Sequence, residues 1–141
     1  MHFGDKDVSV IREGRPVMVV GIGTDILKIQ RVRDGLVGGE SFLKKSFTEQ
    51  ERDQARERSD PALFFATRFA GKEAVFKCLG VDGGDIRLNE IEILGTDTGQ
   101  PQVSLLGNVL DIAAQRGIRN IRVSLSYDGE YAVAFALAEG N

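Results

Sequence analysis

The stretch at residues 61–80, P-A-L-F-F-A-T-R-F-A-G-K-E-A-V-F-K-C-L-G, predicts the long helix around which this chain folds. Asp60 is a favourable N-cap, Pro61 suits the first helical position, and Gly80 is a typical residue for the stop. Apolar side chains occupy most sides of the segment rather than one stripe. Such a helix usually lies at the centre of a core, so the segment is predicted to be buried.

Two charged side chains interrupt this apolar helix. Glu73 and Lys77 lie four residues apart and project together from a side that also carries Ala66 and Ala70. Taken alone, the helix favours a surface salt bridge worth roughly 0.3–0.5 kcal/mol, because buried ionic pairs are rare. The alternative is a functional pair beside small residues that leave clearance for a ligand.

The first strand is predicted at residues 17–20 and continues into G-I-G-T-D at residues 21–25. This glycine pattern does not match a dinucleotide fingerprint, because Ile26 occupies the position of the third glycine. Asp25 is therefore presented at a strand end. Its simplest structural role is to cap the helix predicted at residues 26–36.

The rest of the chain predicts an α+β fold in which an antiparallel sheet packs on the long central helix. Thr48 and Glu51 form a capping box that starts a polar surface helix at residues 49–58. Further strands are predicted at residues 89–94, 101–105, 121–126 and 131–137. A hairpin turn is predicted at residues 96–100, a short helix at 109–115 and a second turn at 127–130. Residues 1–15 are predicted to be an N-terminal extension, residues 16–141 one domain, and residues 81–85 a glycine-rich loop.

Composition excludes several classes of function. A net charge of −3 over 141 residues argues against general nucleic-acid binding. The single cysteine, Cys78, forms no intramolecular disulfide and fits a reducing, cytoplasmic compartment. No apolar run reaches the roughly 18 residues of a membrane helix, and the only histidine, His2, disfavours histidine catalysis and zinc binding.

Asp25, Glu73 and Lys77 would form a site for phosphate chemistry if the first strand packs beside the central helix. Mg²⁺ takes one or two protein carboxylates and completes its shell with water and substrate phosphates. A nearby lysine then acts as a point charge on phosphate. No P-loop motif is present, so an ordinary nucleotide triphosphatase is not indicated.

Several motifs now match a known family in order and spacing. They are G-I-G-T-D-I at 21–26, F-T-x-x-E at 47–51, R-F-A-G-K-E-A-V-F-K at 68–77, G-Q-P at 99–101, V-S-L-S-Y at 123–127 and E-Y-A-V-A at 130–134. The chain resembles, over residues 17–138, the holo-acyl-carrier-protein synthases, the small trimeric members of the 4′-phosphopantetheinyl transferase superfamily. The resemblance implies the fold of that superfamily.

The resemblance also implies a reaction. The phosphopantetheine arm of coenzyme A is transferred to a serine of an apo acyl carrier protein, in fatty acid and lipid biosynthesis or a specialised pathway, and adenosine 3′,5′-bisphosphate is released. Asp25 and Glu73 match the Mg²⁺ ligands, and Lys77 matches the residue that contacts the coenzyme A phosphates. The base for the serine hydroxyl is either Glu73 or a metal-bound water.

In this family the active sites lie between adjacent subunits of a homotrimer, and residues of the last strands line the neighbour's nucleotide pocket. The matching positions are Gly99, Pro101, Ser124 and Ser126, with Arg68 near the nucleotide phosphates. Each of these positions also has a purely structural explanation. Gly99 and Pro101 suit a hairpin turn, and the two serines suit the polar face of a strand. Arg68 suits a surface arginine whose stem packs along the protein. A basic patch for the acidic carrier is implied at Lys28, Arg31 and Arg33.

Tyr127 matches a further nucleotide-binding position of the family, but the family usually has histidine there. A tyrosine keeps an aromatic face and a hydroxyl but carries no positive charge at neutral pH. Two alternatives to the transferase are therefore kept. One is a weakened member that binds a carrier protein or coenzyme A without transfer, and the other is a Mg²⁺-dependent phosphohydrolase.

Overall fold

The structure, a computed structural model, describes residues 17–80 and 87–140, so the predicted extension at 1–15 and the loop at 81–85 lie outside the described residues. The elements are β1 (Met18–Lys28), α1 (Ile29–Val37), α2 (Glu40–Ser46), α3 (Glu49–Arg56), α4 (Pro61–Cys78), β2 (Ile91–Leu94), β3 (Gln102–Leu105), α5 (Gly107–Gln115), β4 (Ile118–Asp128) and β5 (Tyr131–Gly140). A single 3₁₀ turn, Leu88–Glu90, precedes β2. None of the helices in these two ranges is both long and apolar enough to span a membrane.

The central helix α4 begins as its sequence predicts. Asp60 Oδ1 accepts a hydrogen bond from the Leu63 N–H at 3.2 Å, and Pro61 occupies the first turn. The helix ends at Cys78, and Gly80 adopts a φ of +65°, a left-handed conformation that suits glycine at a helix stop. Most side chains of α4 are buried, so the prediction of a core helix is confirmed.

An antiparallel three-stranded sheet in the order β1-β5-β4 covers α4, which confirms the predicted α+β class. The inner face of β5 is built from four alanines that are at most 1% exposed: Ala132, Ala134, Ala136 and Ala138. On β1, a Cβ at Gly21 would lie 2.1 Å from the Cys78 carbonyl oxygen, and one at Gly23 would lie 2.1 Å from the Ala74 carbonyl oxygen. Small residues therefore let the strand backbone rest directly on the helix, and they fix the position of β1 along α4.

The second sheet is the β2–β3 hairpin, with Ile91 opposite Leu105. Its turn at residues 96–100 is as predicted: the Gly99 N–H donates to the Thr96 carbonyl at 2.9 Å, and Gly99 has a φ of +83°. β2 starts two residues later than the predicted 89–94, because the Leu88–Glu90 turn uses the preceding residues.

Two predicted boundaries near the sheet are wrong. β1 continues to Lys28, so the helix begins at Ile29 rather than at residue 26, and Asp25 pairs with Ala134 instead of capping a helix. The cause is the partner strand β5, which continues the ladder to the end of β1. Similarly, β4 extends through Asp128, which puts Tyr127 in a strand opposite Ala132 and not in a turn.

The capping box of α3 is present in full, but the predicted surface character of the helix is only partly right. The Glu51 N–H donates to Thr48 Oγ1 at 3.2 Å, and Glu51 Oε1 accepts from the Thr48 N–H at 2.9 Å. The Glu51 side chain is nonetheless fully buried, and Ala55 is 1% exposed. The helix ends at Arg56, two residues before the predicted end.

Candidate active site

Asp25 and Glu73 line the same open cavity, although one lies on β1 and the other on α4. The cavity has a volume of about 370 Å³, and its other lining residues are Ile26, Leu27, Arg31, Val32, Phe42 and Phe69. It thus has an acidic end, one basic side chain, and an apolar wall contributed by α1, α2 and α4. The sequence predicts that the two carboxylates meet if β1 packs beside α4, and the structure shows that they do.

The packing of β1 explains the position of Asp25. Gly21, Gly23, Asp25 and Leu27 alternate onto the face that looks toward α4, and the two glycines are equally close to the helix backbone. Asp25 therefore lies one pleat beyond Gly23, within reach of side chains of α4. There Lys77 Nζ lies 3.3 Å from Asp25 Oδ1 and donates to the Thr24 carbonyl at 2.8 Å.

Glu73 is not the partner of Lys77. Among the described residues Lys77 pairs with Asp25, so the surface Glu73–Lys77 salt bridge favoured from the helix alone is wrong. Burial raises the pKa of the Glu73 carboxyl, the negative charge of Asp25 raises it further, and Lys77 and Arg31 oppose both effects. Burial and the charge of Asp25 thus outweigh the two cationic side chains in their effect on the pKa of Glu73.

Ala66 and Ala70 do not provide clearance for a ligand. Both are 0% exposed and belong to the hydrophobic core. The sequence correctly puts them on the side of α4 that carries small residues, but this side packs closely against the rest of the core. The space at the cavity is bounded instead by Phe42 and Phe69, whose rings stack at 5.9 Å.

Arg68 and Tyr127 share a second cavity of about 280 Å³ with Arg58. The Arg68 guanidinium lies 4.1 Å from the centroid of the Phe64 ring and that of Arg58 lies 4.9 Å from it. Arg68 is only 8% exposed, so its interpretation as a surface arginine is wrong. Burial and the charge of Arg58 lower the pKa of Arg68 to about 10, and within the described ranges its Nε has no hydrogen-bond partner.

Arg58 was not selected by the sequence reasoning. It lies between the end of α3 and the Asp60 cap, in a segment that looks like a polar linker. No periodicity marks it, and its neighbours Glu57 and Ser59 have the same polar character. The available signal was its position just before a helix whose first turns carry Phe64 and Arg68.

The four other predicted nucleotide-pocket positions on the hairpin and on β4 line neither of these cavities: Gly99, Pro101, Ser124 and Ser126. Pro101 borders a third cavity of about 390 Å³ together with Gln100 and Arg122, and Gly99 lies in the adjoining turn. Ser124 and Ser126 are exposed on the outer face of β4. A single chain therefore does not bring these four residues to Asp25 and Glu73.

The three predicted docking residues are placed differently from one another. Arg31 lines the acidic cavity, and Lys28 is exposed at the end of β1. Arg33 instead forms a two-pronged ion pair with Asp60, at 3.1 and 2.8 Å, which raises the pKa of Arg33 and lowers that of Asp60. This pair ties α1 to the N-terminus of α4.

Comparison with known proteins agrees with the fold and the motifs. The 4′-phosphopantetheinyl transferase superfamily matches residues 21–136. A holo-[acyl-carrier-protein] synthase of Desulforudis audaxviator is 42% identical over 125 residues, which is 87% of this chain and 95% of that relative. The crystal structure of the holo-ACP synthase from Plasmodium yoelii aligns with a TM-score of 0.80 at 32% identity, covering 90% of this chain and 99% of the other.

A holo-(acyl-carrier-protein) synthase from Bacillus anthracis, solved in complex with CoA (3′,5′-ADP), aligns with a TM-score of 0.72 at 30% identity, covering 88% and 99% of the two chains. The chain belongs to the 4′-phosphopantetheinyl transferase superfamily, in its holo-[acyl-carrier-protein] synthase group. The enzyme class expected from the motifs, a phosphopantetheinyl transferase, is thereby confirmed.

Proposed function

We propose that this enzyme transfers the 4′-phosphopantetheine group of coenzyme A to a serine of an apo acyl carrier protein, with Mg²⁺ as cofactor. The reaction would release adenosine 3′,5′-bisphosphate. Family membership supports the transfer itself. The observation that carries the assignment of the site is the meeting of Asp25 and Glu73, from separate elements, in one open cavity beside Lys77.

Asp25 and Glu73 are the residues that would hold Mg²⁺. Two carboxylates suit this ion, which keeps several of its positions for water and substrate phosphate. The raised pKa of Glu73 fits the same role, because a bound cation favours the ionised carboxylate that burial disfavours. When bound, Mg²⁺ would offset the charge of the diphosphate and of the leaving group.

Lys77 and Glu73 would serve the transfer in different ways. The Lys77 side chain is 53% exposed, so its ammonium can reach a phosphate while it remains next to Asp25. The serine oxygen would bond to the phosphorus nearer the pantetheine, and the bond from this phosphorus to the bridging oxygen would break. Either Glu73 or a metal-bound water would accept the serine proton.

The cavity of Arg58, Arg68 and Tyr127 would bind the nucleotide part of coenzyme A. Two guanidiniums lie over one phenyl ring, and Arg68 keeps a buried nitrogen without a partner in the described chain. An anionic phosphate would satisfy both features. Tyr127 would then contribute a neutral hydroxyl, and Arg58 would supply positive charge that a tyrosine lacks.

A homotrimer would bring Gly99, Pro101, Ser124 and Ser126 to a neighbouring active site. The outer face of the three-stranded sheet supports such an assembly, because four large apolar side chains on it are 38–64% exposed: Ile22, Ile26, Val133 and Phe135. Phe135→Glu should convert trimers to smaller species in light scattering. A matched exposed change on α5, Leu110→Glu, should leave the assembly intact, and trimers in both variants would contradict this interface.

Lys28 and Arg31 would meet the acidic carrier, since Arg31 lines the cavity and Lys28 is exposed at the end of β1, directly before α1. Arg33 would contribute only by giving up its pair with Asp60. We further propose that residues 16–141 form the transferase domain, which contains the whole family match. A cytoplasmic site of action would fit Cys78, a buried thiol whose pKa burial raises to about 11.

The test is mass spectrometry of an apo carrier protein incubated with the enzyme, coenzyme A and Mg²⁺. A mass gain of one phosphopantetheine, abolished by a chelator and accompanied by adenosine 3′,5′-bisphosphate, is the expected result. Binding of coenzyme A without any mass gain on several carriers would favour the binding-module alternative. Bisphosphate release without a carrier would favour the phosphohydrolase.

A further inference from the structure

Lys72 and Glu51 form an ion pair inside the core, outside the cavity of Asp25 and Glu73. Both side chains are 0% exposed, and Lys72 Nζ lies 2.7 Å from Glu51 Oε1. Lys72 Nζ also donates to the Leu88 carbonyl at 3.0 Å and to the Ile91 carbonyl. All three protons of the ammonium therefore have an acceptor.

The acceptor side of the pair is equally complete. Glu51 Oε1 accepts from the Thr48 N–H at 2.9 Å, and Oε2 accepts from the Ile93 N–H at 2.7 Å. Thr48 Oγ1 donates in turn to Glu92 Oε2 at 2.6 Å. One lysine thus fixes α4 against the start of α3 and against the backbone of β2.

This buried pair adjoins the active site in two ways. Lys72 directly precedes Glu73, so the direction of one side chain sets the direction of the other around the helix axis. Lys72 Nζ also lies 5.2 Å from the centroid of the Phe47 ring. Phe47 contacts Phe42 and Phe69, at centroid distances of 6.0 and 6.4 Å, and these two rings form the cavity wall.

Stability alone does not account for such a pair. Well-packed apolar residues of similar volume often match or exceed the stability of a buried ion pair, because both ions lose their hydration. A directional network of this kind instead selects one rotation and one axial position of a helix. The close packing around it supports this, since a Cβ at Gly71 would lie 2.7 Å from Ile93 Cδ1.

We propose that Lys72 and Glu51 are positioning residues for the transfer: their pair sets α4 so that Glu73 faces Asp25 across the cavity. The inference rests on the proposed metal site. It predicts that replacing the pair weakens the Mg²⁺-dependent binding of coenzyme A and lowers kcat even where the protein remains folded. A displacement of about 1 Å at a reacting group can reduce the rate by roughly 100-fold.

The test compares the double variant Glu51→Gln/Lys72→Met with Val109→Ala, a change at a fully buried core residue of α5. The double change removes both charges of the pair together, so neither partner is left as an uncompensated ion. Coenzyme A binding is measured by calorimetry across a Mg²⁺ titration without any carrier, well below the melting temperature of each variant. kcat and KM are then measured separately.

The expected result is that the double variant binds coenzyme A about 10–100-fold more weakly at a given Mg²⁺ concentration, with a comparable fall in kcat, while Val109→Ala matches the wild type in both. If the double variant loses thermal stability but keeps wild-type binding and kcat, the pair is structural only and the proposal is wrong. Glu51→Gln/Lys72→Gln, which also removes both charges and retains two N–H donors at position 72, is the milder variant if the first double variant does not fold. Failure of the wild type itself to bind coenzyme A in a Mg²⁺-dependent way would instead overturn the proposed function.

Discussion

Two lysines of the same helix, five residues apart, have opposite electrostatic situations. Lys72 is fully buried and donates to one carboxylate oxygen and two carbonyls. Lys77 is 53% exposed, and its ion pair with Asp25 is longer, at 3.3 Å. The first pair has no unused hydrogen-bonding capacity, whereas the second keeps an exposed ammonium beside a carboxylate whose pKa is raised, Glu73.

The difference shows how burial separates structural charges from chemical ones. A charge in the core whose donors and acceptors all have partners, as in the Lys72–Glu51 pair, has little left to offer a ligand. A charge at the edge of the core is partly dehydrated and still accessible. Ligands for a metal or a phosphate belong to the second kind.

Removing one partner of the buried Lys72–Glu51 pair should have the largest effect, a loss of stability. Lys72→Met leaves the Glu51 carboxylate uncompensated in the core, so we expect a loss of about 3–5 kcal/mol in the free energy of unfolding, measured by urea denaturation. The matched control is Lys44→Met, which removes an exposed pair with Glu40 and should change stability by less than about 0.5 kcal/mol. Equal losses in the two variants would show that burial does not distinguish these pairs.

Removing the Asp25 carboxylate, which lines the cavity, should lower activity and hardly change the free energy of unfolding. Asp25→Asn is expected to lower the transfer rate by about 100–1000-fold, because a metal site is worth several kcal/mol to the transition state. Asp111→Asn, at an exposed position on α5, should retain the wild-type rate. Full transfer activity in the Asp25 variant would contradict the assignment of this residue as a ligand.

A smaller effect is expected in the second cavity. Arg58→Gln should raise KM for coenzyme A roughly tenfold with little change in kcat, because it removes a charged contact made in both ground and transition states. Arg56→Gln, which removes an exposed arginine paired with Asp53 on α3, should leave KM unchanged. An unchanged KM in the Arg58 variant would leave Arg68 as the only cation used in this cavity.

The smallest effect concerns the stability of the metal-free protein. Because burial and Asp25 raise the folded-state pKa of Glu73, the protonated carboxyl contributes fully to the stability of the fold only at low pH, and that contribution is lost as the pH rises through the folded pKa. Glu73→Gln should therefore raise the melting temperature at pH 7 and not at about pH 4. An equal rise in melting temperature for Glu49→Gln, at the exposed start of α3, would contradict the raised pKa of Glu73 as the cause. A rise for Glu73→Gln that persists at low pH would contradict it as well.

Features that depend on neighbouring residues were predictable. The start of α4 follows from Asp60 and Pro61, and the start of α3 follows from the capping box of Thr48 and Glu51, because both use contacts within one turn of helix. The local structure around Asp25 was predicted only in part: the strand was expected to end there, with a helix from residue 26, whereas β1 continues to Lys28. Whether its segment continues as a strand or begins a helix is decided by pairing with Ala134, which is distant in sequence.

The buried pair shows the same limit at the level of side chains. Lys72 stands inside a recognisable motif, yet nothing near it in sequence marks it as buried, and lysine is rarely buried. Its partner Glu51 looked like the surface half of a capping box. Only when α3 and β2 pack on α4 do the two charges leave water together.

The sequence by itself determined the α+β class and the central helix with its caps, and it predicted Asp25, Glu73 and Lys77 as the candidate site residues. Local hydrogen bonding, apolar patterning and motif spacing are sufficient for these. The tertiary structure alone decided which charges face the cavity and which are held in the core: Lys77 with Asp25, Arg33 with Asp60, and Lys72 with Glu51. Hydration and ion pairing depend on the groups that surround a charge in space, and segments far apart in the chain supply those groups.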